Sequence, residues 1–233
     1  MRRSELLAAA ERLFYTKGYE KTSVQDILDA TNFSKGGFYH HFDSKLAVLE
    51  AICELRAKEC GELAQRAAGE TEGTAVDRLN AVFHDSALLA SGNQGFVSLM
   101  IQVAYREDGA LMRERMKQRQ LECMQSVLRS VLEEGAAQKE FFITDAEGSA
   151  QMLLRLYLVL TDEITFLLAQ EESEEKIAEE LVGKLNVYRT AIERVLVAPF
   201  GSVVLFEAKE LHLLAQTVLR DRTRRRADAL LGK

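Results

Sequence analysis

Apolar residues recur along this chain at intervals of three and four, and no stretch shows the alternation that a half-buried strand requires. Residues 2–17 carry Leu6, Ala10, Leu13 and Phe14 at helical spacing and end at Gly18, a natural residue beyond a helix terminus. In "TSVQDILDA", Thr22 and Gln25 have the spacing of a capping box, and Val24, Ile27 and Leu28 form one apolar side. A short helix is predicted over 34–40 and a long one from Asp43 to Ala68, followed by a polar break, "GETEGT", at 69–74. Further helices are predicted over 75–91, 96–105, 109–135, 145–170 and 173–197, with Asp108, Thr144 and Ser173 as caps. Pro199 and Gly201 end that run. A last helix over 203–230 has Val204, Ala208, Leu211, Ala215 and Val218 at 4-3-4-3 spacing, a narrow seam suited to packing on another helix.

Composition strengthens the all-helical reading. Pro199 is the only proline among 233 residues, and 47% of the chain is apolar, enough to bury a sizeable core. The cysteines Cys53, Cys60 and Cys123 show no paired spacing, which points to buried thiols in a reduced, cytoplasmic chain. Charges at Glu5, Glu11 and Arg12 break any secretory leader, and Arg155, Asp162 and Glu163 break the most apolar stretch, 152–169, so no membrane partner is expected. Net charge is −6, unevenly placed. Residues 1–47 hold seven Lys/Arg against six Asp/Glu, and the remainder holds 23 against 30. An acidic body argues against polyanion binding over the whole surface and leaves room for a local anion-binding face on the head.

The stretch "TNFSKGGFYHHFDSK" at 31–45 carries the candidate chemistry. Three short helices with a tight turn between the second and third describe a helix-turn-helix. Asn32 tolerates the positive φ that such a turn commonly needs. A recognition helix presents its first turn to base edges in the major groove, and Gly36 and Gly37 there remove bulk so that backbone approaches DNA closely. Each glycine costs about 1 kcal/mol of helix propensity, which Phe33, Phe38 and Phe42 offset by burial. His40 and His41, about 100° apart on a helix, do not share a face, so a zinc site is not expected.

The motifs T-S-V-x-x-I at 22–27, S-K-G-x-F-Y at 34–39, H-F at 41–42 and S-K at 44–45 resemble the DNA-binding head of the TetR family of bacterial transcription regulators. The resemblance is close over 2–50 and loose, in helix number and length, to about 197. Two departures stand out: Thr31-Asn32-Phe33 replaces the usual Ala-Gly-Val turn, and Gly37 follows the first recognition-helix glycine. The resemblance implies an all-α chain with a helix-turn-helix DNA-binding domain (1–47) and a helical effector-binding and dimerisation domain (48–198); the additional C-terminal helix with a basic tail (199–233) departs from the usual family length. It implies phosphate contacts by Ser23 and Lys45, base contacts by Gln25 and Lys35, and backbone contacts by Tyr39 and His40. His41 either packs on the fourth helix or joins those contacts.

Helix 145–170 is apolar almost all round and must be buried on two sides. The resemblance implies a homodimer through residues 145–197, with Ile177, Leu181, Leu185, Tyr188, Ile192 and Leu196 on the second interface helix. It also implies an internal cavity for a small apolar or amphipathic effector. Its candidate walls are Phe83, Phe96, Met100, Tyr105, Met116, Met124, Tyr157 and Phe166, although for each of these an ordinary core position is the favoured reading. Arg155, Asp162 and Glu163 are expected to pair across the dimer, and "RDRTRRR" at 220–226 to be a solvated tail. The chain has no P-loop, G-x-S-x-G, H-E-x-x-H, paired catalytic carboxylates or metal-spaced Cys/His cluster, so neither enzyme activity nor a cofactor is expected. The expected function is a dimeric regulator, a repressor being the commonest family role, that binds a palindromic double-stranded operator. An architectural DNA-binding protein without an effector is the alternative.

Overall fold

Strong helix formers fill the long segments. Among the residues that the computed structural model describes (2–31, 33–86, 94–104 and 109–230), ten helices and no strand occur. They are α1 (Arg2–Thr16), α2 (Val24–Thr31), α3 (Lys35–His41), α4 (Lys45–Glu70), α5 (Ala75–Asp85), α6 (Gln94–Ala104), α7 (Gly109–Ala137), α8 (Ala146–Ala169), α9 (Glu174–Leu196) and α10 (Ala208–Leu230). No helix among them is long and apolar enough to cross a membrane. Asn32, Tyr105, Asp108 and the end of the helix predicted over 75–91 lie outside the described residues.

Caps explain several boundaries. Ser34, Ser44, Thr74 and Ser173 each accept a backbone N–H from the first turn of α3, α4, α5 and α9. Asp145 caps α8 in place of the expected Thr144. The capping box of α2 also shifts by one residue. Ser23 Oγ accepts from Asp26 N–H at 3.1 Å while Asp26 Oδ2 accepts from Ser23 N–H at 2.7 Å. Thr22 is instead buried, its hydroxyl donating to the Gly18 carbonyl at 2.8 Å.

Two apolar cores result. The head core joins Leu6, Phe14, Ile27 and Phe38 to Leu49, Ile52 and Cys53 of α4 and to Phe96, Leu99 and Met100 of α6. The body core joins α5, α7, α8, α9 and α10, and takes Val97 from α6. Helix α6 therefore belongs to both: one side, spaced i, i+3, i+4, faces the head while Val97 and Ile101 face the body. Helix α4 also runs from one core into the other.

The chain after α9 departs from expectation. Residues 203–207 are not helical; they cross the body as an extended strap, and Val203, Leu205 and Phe206 are buried in its core. Asn80 holds the strap on both sides, donating to the Ser202 carbonyl at 2.8 Å and accepting from Val204 N–H at 2.9 Å. Glu193 Oε1 accepts from Gly201 and Val203 N–H. Four satisfied backbone groups outweigh helix propensity here. Beyond the strap, Leu211, Ala215 and Val218 of α10 are buried as the seam predicted, Leu214 is buried beside them, and Val204 is partly exposed.

His84 of α5 lies 2.8 Å from Asp85 and 3.3 Å from Glu210 of α10. The hydrogen bond to Asp85, and next the Glu210 charge, hold its imidazolium above the ordinary 6.5 despite partial burial. A histidine raised in the fold adds stability that is full below 6.5 and fades as pH rises through the raised value. The thermal midpoint of the wild type should therefore exceed that of His84→Gln in mild acid and converge with it in alkali. A constant difference across the range would remove this link.

Candidate nucleic-acid interface

Helix α3 is only seven residues long, so it stands by packing rather than by its own propensity. Phe38 is fully buried and meets Phe42 at 6.1 Å and Tyr39 edge-on at 5.3 Å. Arg3 of α1 lies over the Phe42 ring. With that side sunk in the head core, α3 presents Lys35, Gly36, Tyr39 and His40 outward; Tyr39 is 48% exposed. His41 is exposed too and rests edge-on against Phe33. Among the described residues, no group of three His, Cys, Asp or Glu is placed to hold a metal ion.

The two glycines differ in a way the sequence hid. A Cβ at Gly36 would meet nothing within 4 Å, whereas one at Gly37 would sit 3.2 Å from the capping Ser34 Oγ and 3.5 Å from Phe33. Gly37 faces inward and keeps the cap tight. Gly36 is the open position, where a partner's backbone can approach.

The other expected contacts divide as well. Gln25 is exposed and donates to Asp29 at 2.7 Å, one turn along α2, which fixes the direction of its amide. Ser23 spends its hydroxyl proton on Asp26 at 2.7 Å. Asp26 also pairs with Lys17 at 2.7 Å, and these bonds, Lys17 first, hold its carboxyl well below the usual carboxylate range. Lys45 is half-buried. Its ammonium donates to the Tyr19 carbonyl at 2.8 Å and lies 4.2 Å from the Tyr19 ring centre, tying the start of α4 to the α1–α2 connection. Gly37 and Lys45 are thus half-buried, while Ser23, Gln25, Lys35, Gly36, Tyr39 and His40 lie on the outside of the head. The Ser23–Asp26 pairing was recoverable from the sequence, because it repeats the Ser/Thr-x-x-acid spacing one residue after the pair first chosen.

The expected effector walls divide between the two cores. Phe83 and Tyr157 stack at 5.0 Å, Tyr157 stacks on Phe206 at 5.5 Å, and with Met124 these rings belong to the body core. Phe96 and Met100 belong to the head core, and Phe166 is 52% exposed on the outer side of α8. Met116 does line a cavity of about 260 Å³ between α4 and α7. Its floor holds buried Cys53 and Met112, and its rim carries Glu50, Arg115 and Arg119. Arg115 pairs with Glu50 across the rim (2.5 Å), and Arg119 pairs with Glu122 along α7 (2.9 Å). The carboxylates expected to pair across a dimer are satisfied within the chain instead, Asp162 by Lys117 and Glu163 by Lys184. In the basic tail, Arg222 donates to the Gln170 carbonyl at the end of α8; the side chains of 224–226 lie outside the described residues.

Comparison with known proteins agrees with this geometry. The family profile described as "Bacterial regulatory proteins, tetR family" matches residues 6–52. A helix-turn-helix regulator of Lactococcus lactis is 45% identical over 56 residues, 24% of this chain and 29% of that protein, so that match spans under a third of the relative. The regulator TtgR of Pseudomonas putida is 25% identical over 179 residues, 71% of this chain and 84% of its own. A transcriptional regulator from Cytophaga hutchinsonii shares the fold, with a TM-score of 0.60 at 16% identity over 82% of this chain and 96% of that one. With its helix-turn-helix head matched by that profile over residues 6–52 and these relatives, the chain is similar to the TetR family of bacterial transcriptional regulators.

Proposed function

We propose that the chain acts as a homodimer whose two heads read a palindromic operator, and that a small ligand between α4 and α7 releases it, as a repressor would require. The exposed Lys35–Gly36–Tyr39–His40 face of α3 carries this reading, since the helix is held by its opposite side. Lys35 suits guanine O6/N7 and Gln25 suits adenine, while Tyr39 and His40 reach the backbone. Ser23, Gly37 and Lys45 act by setting the angle of α3. Residues 1–47 serve as the reading head, 48–198 as the dimerising and sensing body, and 199–233 as a brace on that body.

Dimerisation is supported by Met152, Val159 and Phe166, seven residues apart on α8 and each about half exposed. An apolar stripe of this kind calls for a partner, and a second copy of α8–α9 offers one. Val159→Glu should leave the fold intact and weaken the dimer on the order of a hundredfold, because it places an unpaired charge in the seam. Sedimentation equilibrium measures this, and an unchanged dimer would move the interface elsewhere.

Ligand response is supported by position. The α4–α7 cavity lies against the stretch of α4 that carries Val48, Leu49 and Ile52 into the head core. An occupant that parts α4 from α7 would turn the head. The charged rim fits an amphipathic or ionic ligand better than a wholly apolar one. An architectural protein without an effector is the competing reading, and release of bound operator by a small molecule separates the two. The DNA reading is tested by fluorescence anisotropy with Lys35→Ala: affinity for a selected operator should fall by roughly 1–3 kcal/mol while a non-specific duplex changes little. Equal losses on both duplexes would deny Lys35 a base contact.

A further inference from the structure

Two of the head's cations are engaged within the fold. Lys17 pairs with Asp26, and Lys45, expected at a phosphate, donates to the Tyr19 carbonyl. Arg3, Arg12 and Lys35 are exposed, and among the described residues none of the three has an acid partner. Lys35 opens the outward face of α3. Arg12 follows Arg3 by nine positions, about 180° round α1. Arg3 is held by a ring: its guanidinium carbon lies 5.1 Å from the centre of Phe42. Phe42 is the C-cap of α3, buried, and meets Phe38 at 6.1 Å.

We propose that Arg3 grips a backbone phosphate at the edge of the groove that α3 enters. The argument starts from size. Seven helical residues span about 10 Å, and the major groove is about 12 Å wide. With the first turn of α3 in the groove, its other end lies at the rim, where the phosphates run. Phe42 marks that end, and Arg3 stands over it.

The side chain suits the task. Arginine presents several N–H donors in a planar fork that matches two oxygens of one phosphate. A guanidinium over a ring keeps donors at its edge for an anion, and the ring limits its rotamers beforehand, so less freedom is lost on binding. Because Phe42 also packs on Phe38, the anchor of α3, a phosphate held by Arg3 is tied to the helix that reads the bases. Arg3 therefore sets the register of the head without selecting sequence. This inference rests on the reading of α3 as the DNA-binding face.

Wild type, Arg3→Ala and Arg12→Ala are titrated by fluorescence anisotropy against a selected operator and a non-specific duplex, over a range of salt concentrations. Arg3→Ala should weaken both duplexes by the same factor, on the order of tenfold, and lower the slope of log affinity against log salt by about one per head. Arg12→Ala removes the same charge from the opposite side of α1 and should leave the slope as it was. Thermal melts check each fold; a loss of folded protein would lower the active fraction and leave the slope alone. An unchanged slope in Arg3→Ala overturns the inference, as does an equal drop in Arg12→Ala, or a loss confined to the operator. A wild type that binds neither duplex overturns the DNA reading with it, whereas a wild type that binds while Arg3→Ala keeps its slope overturns this inference alone.

Discussion

Gly36→Val should abolish operator binding and leave the thermal midpoint of the protein where it was. The side chain it adds meets no protein atom within 4 Å, so the fold has no reason to notice it. Valine is also no worse than glycine inside a helix, by a few tenths of a kcal/mol in its favour. DNA would notice it. The open side of Gly36 lies on the face that carries Lys35 and Tyr39, and an added isopropyl group holds that face off the groove and lengthens several contacts together. Gly37→Val makes the contrast. Its Cβ would press on Ser34 Oγ at 3.2 Å, so it should loosen the cap of α3 and lower the midpoint, at a cost of about 1–3 kcal/mol. Thermal melts beside anisotropy titrations on both variants decide the matter. Binding that survives Gly36→Val would mean that α3 does not approach DNA through its first turn.

Phe206→Ala should be the most destabilising single change outside the head, at about 3–5 kcal/mol. Phe206 is buried, stacks on Tyr157 at an interplanar angle of 15°, and completes a three-ring column with Phe83. It arrives on a strap whose backbone is fixed by Asn80 and Glu193, so little can move in to fill the space. Denaturant unfolding measures the loss, and Phe206→Leu should recover part of it. A loss under about 1 kcal/mol would show that the strap merely drapes over a body that is stable without it.

Periodicity made the helices legible, because an amphipathic helix writes its buried side into the sequence at fixed intervals. It placed α8 and α9 to within a residue or two and found Phe38 as the anchor of α3. What it missed depends on contacts between distant residues. Nothing near residue 205 announces an extended strap, since its hydrogen-bond partners, Asn80 and Glu193, lie on other helices. Local spacing could not show that Phe96 and Met100 face the head while Phe83 and Tyr157 stack with Phe206 in the body. The same limit hid the difference between Gly36 and Gly37, which only the position of Ser34 Oγ reveals. The expected cross-dimer pairing of Asp162 and Glu163 failed for a similar reason: Lys117 and Lys184 reach them from α7 and α9.

The central claim is that two copies of the α3 face read one duplex symmetrically. Its most direct test is selection of bound duplexes from a random pool by the full chain, followed by sequencing. The account predicts enrichment of an inverted repeat whose half-sites are centred one helical turn apart, about 10 bp, or somewhat more. A pool that stays random, or that yields a single half-site without its mirror, would contradict it.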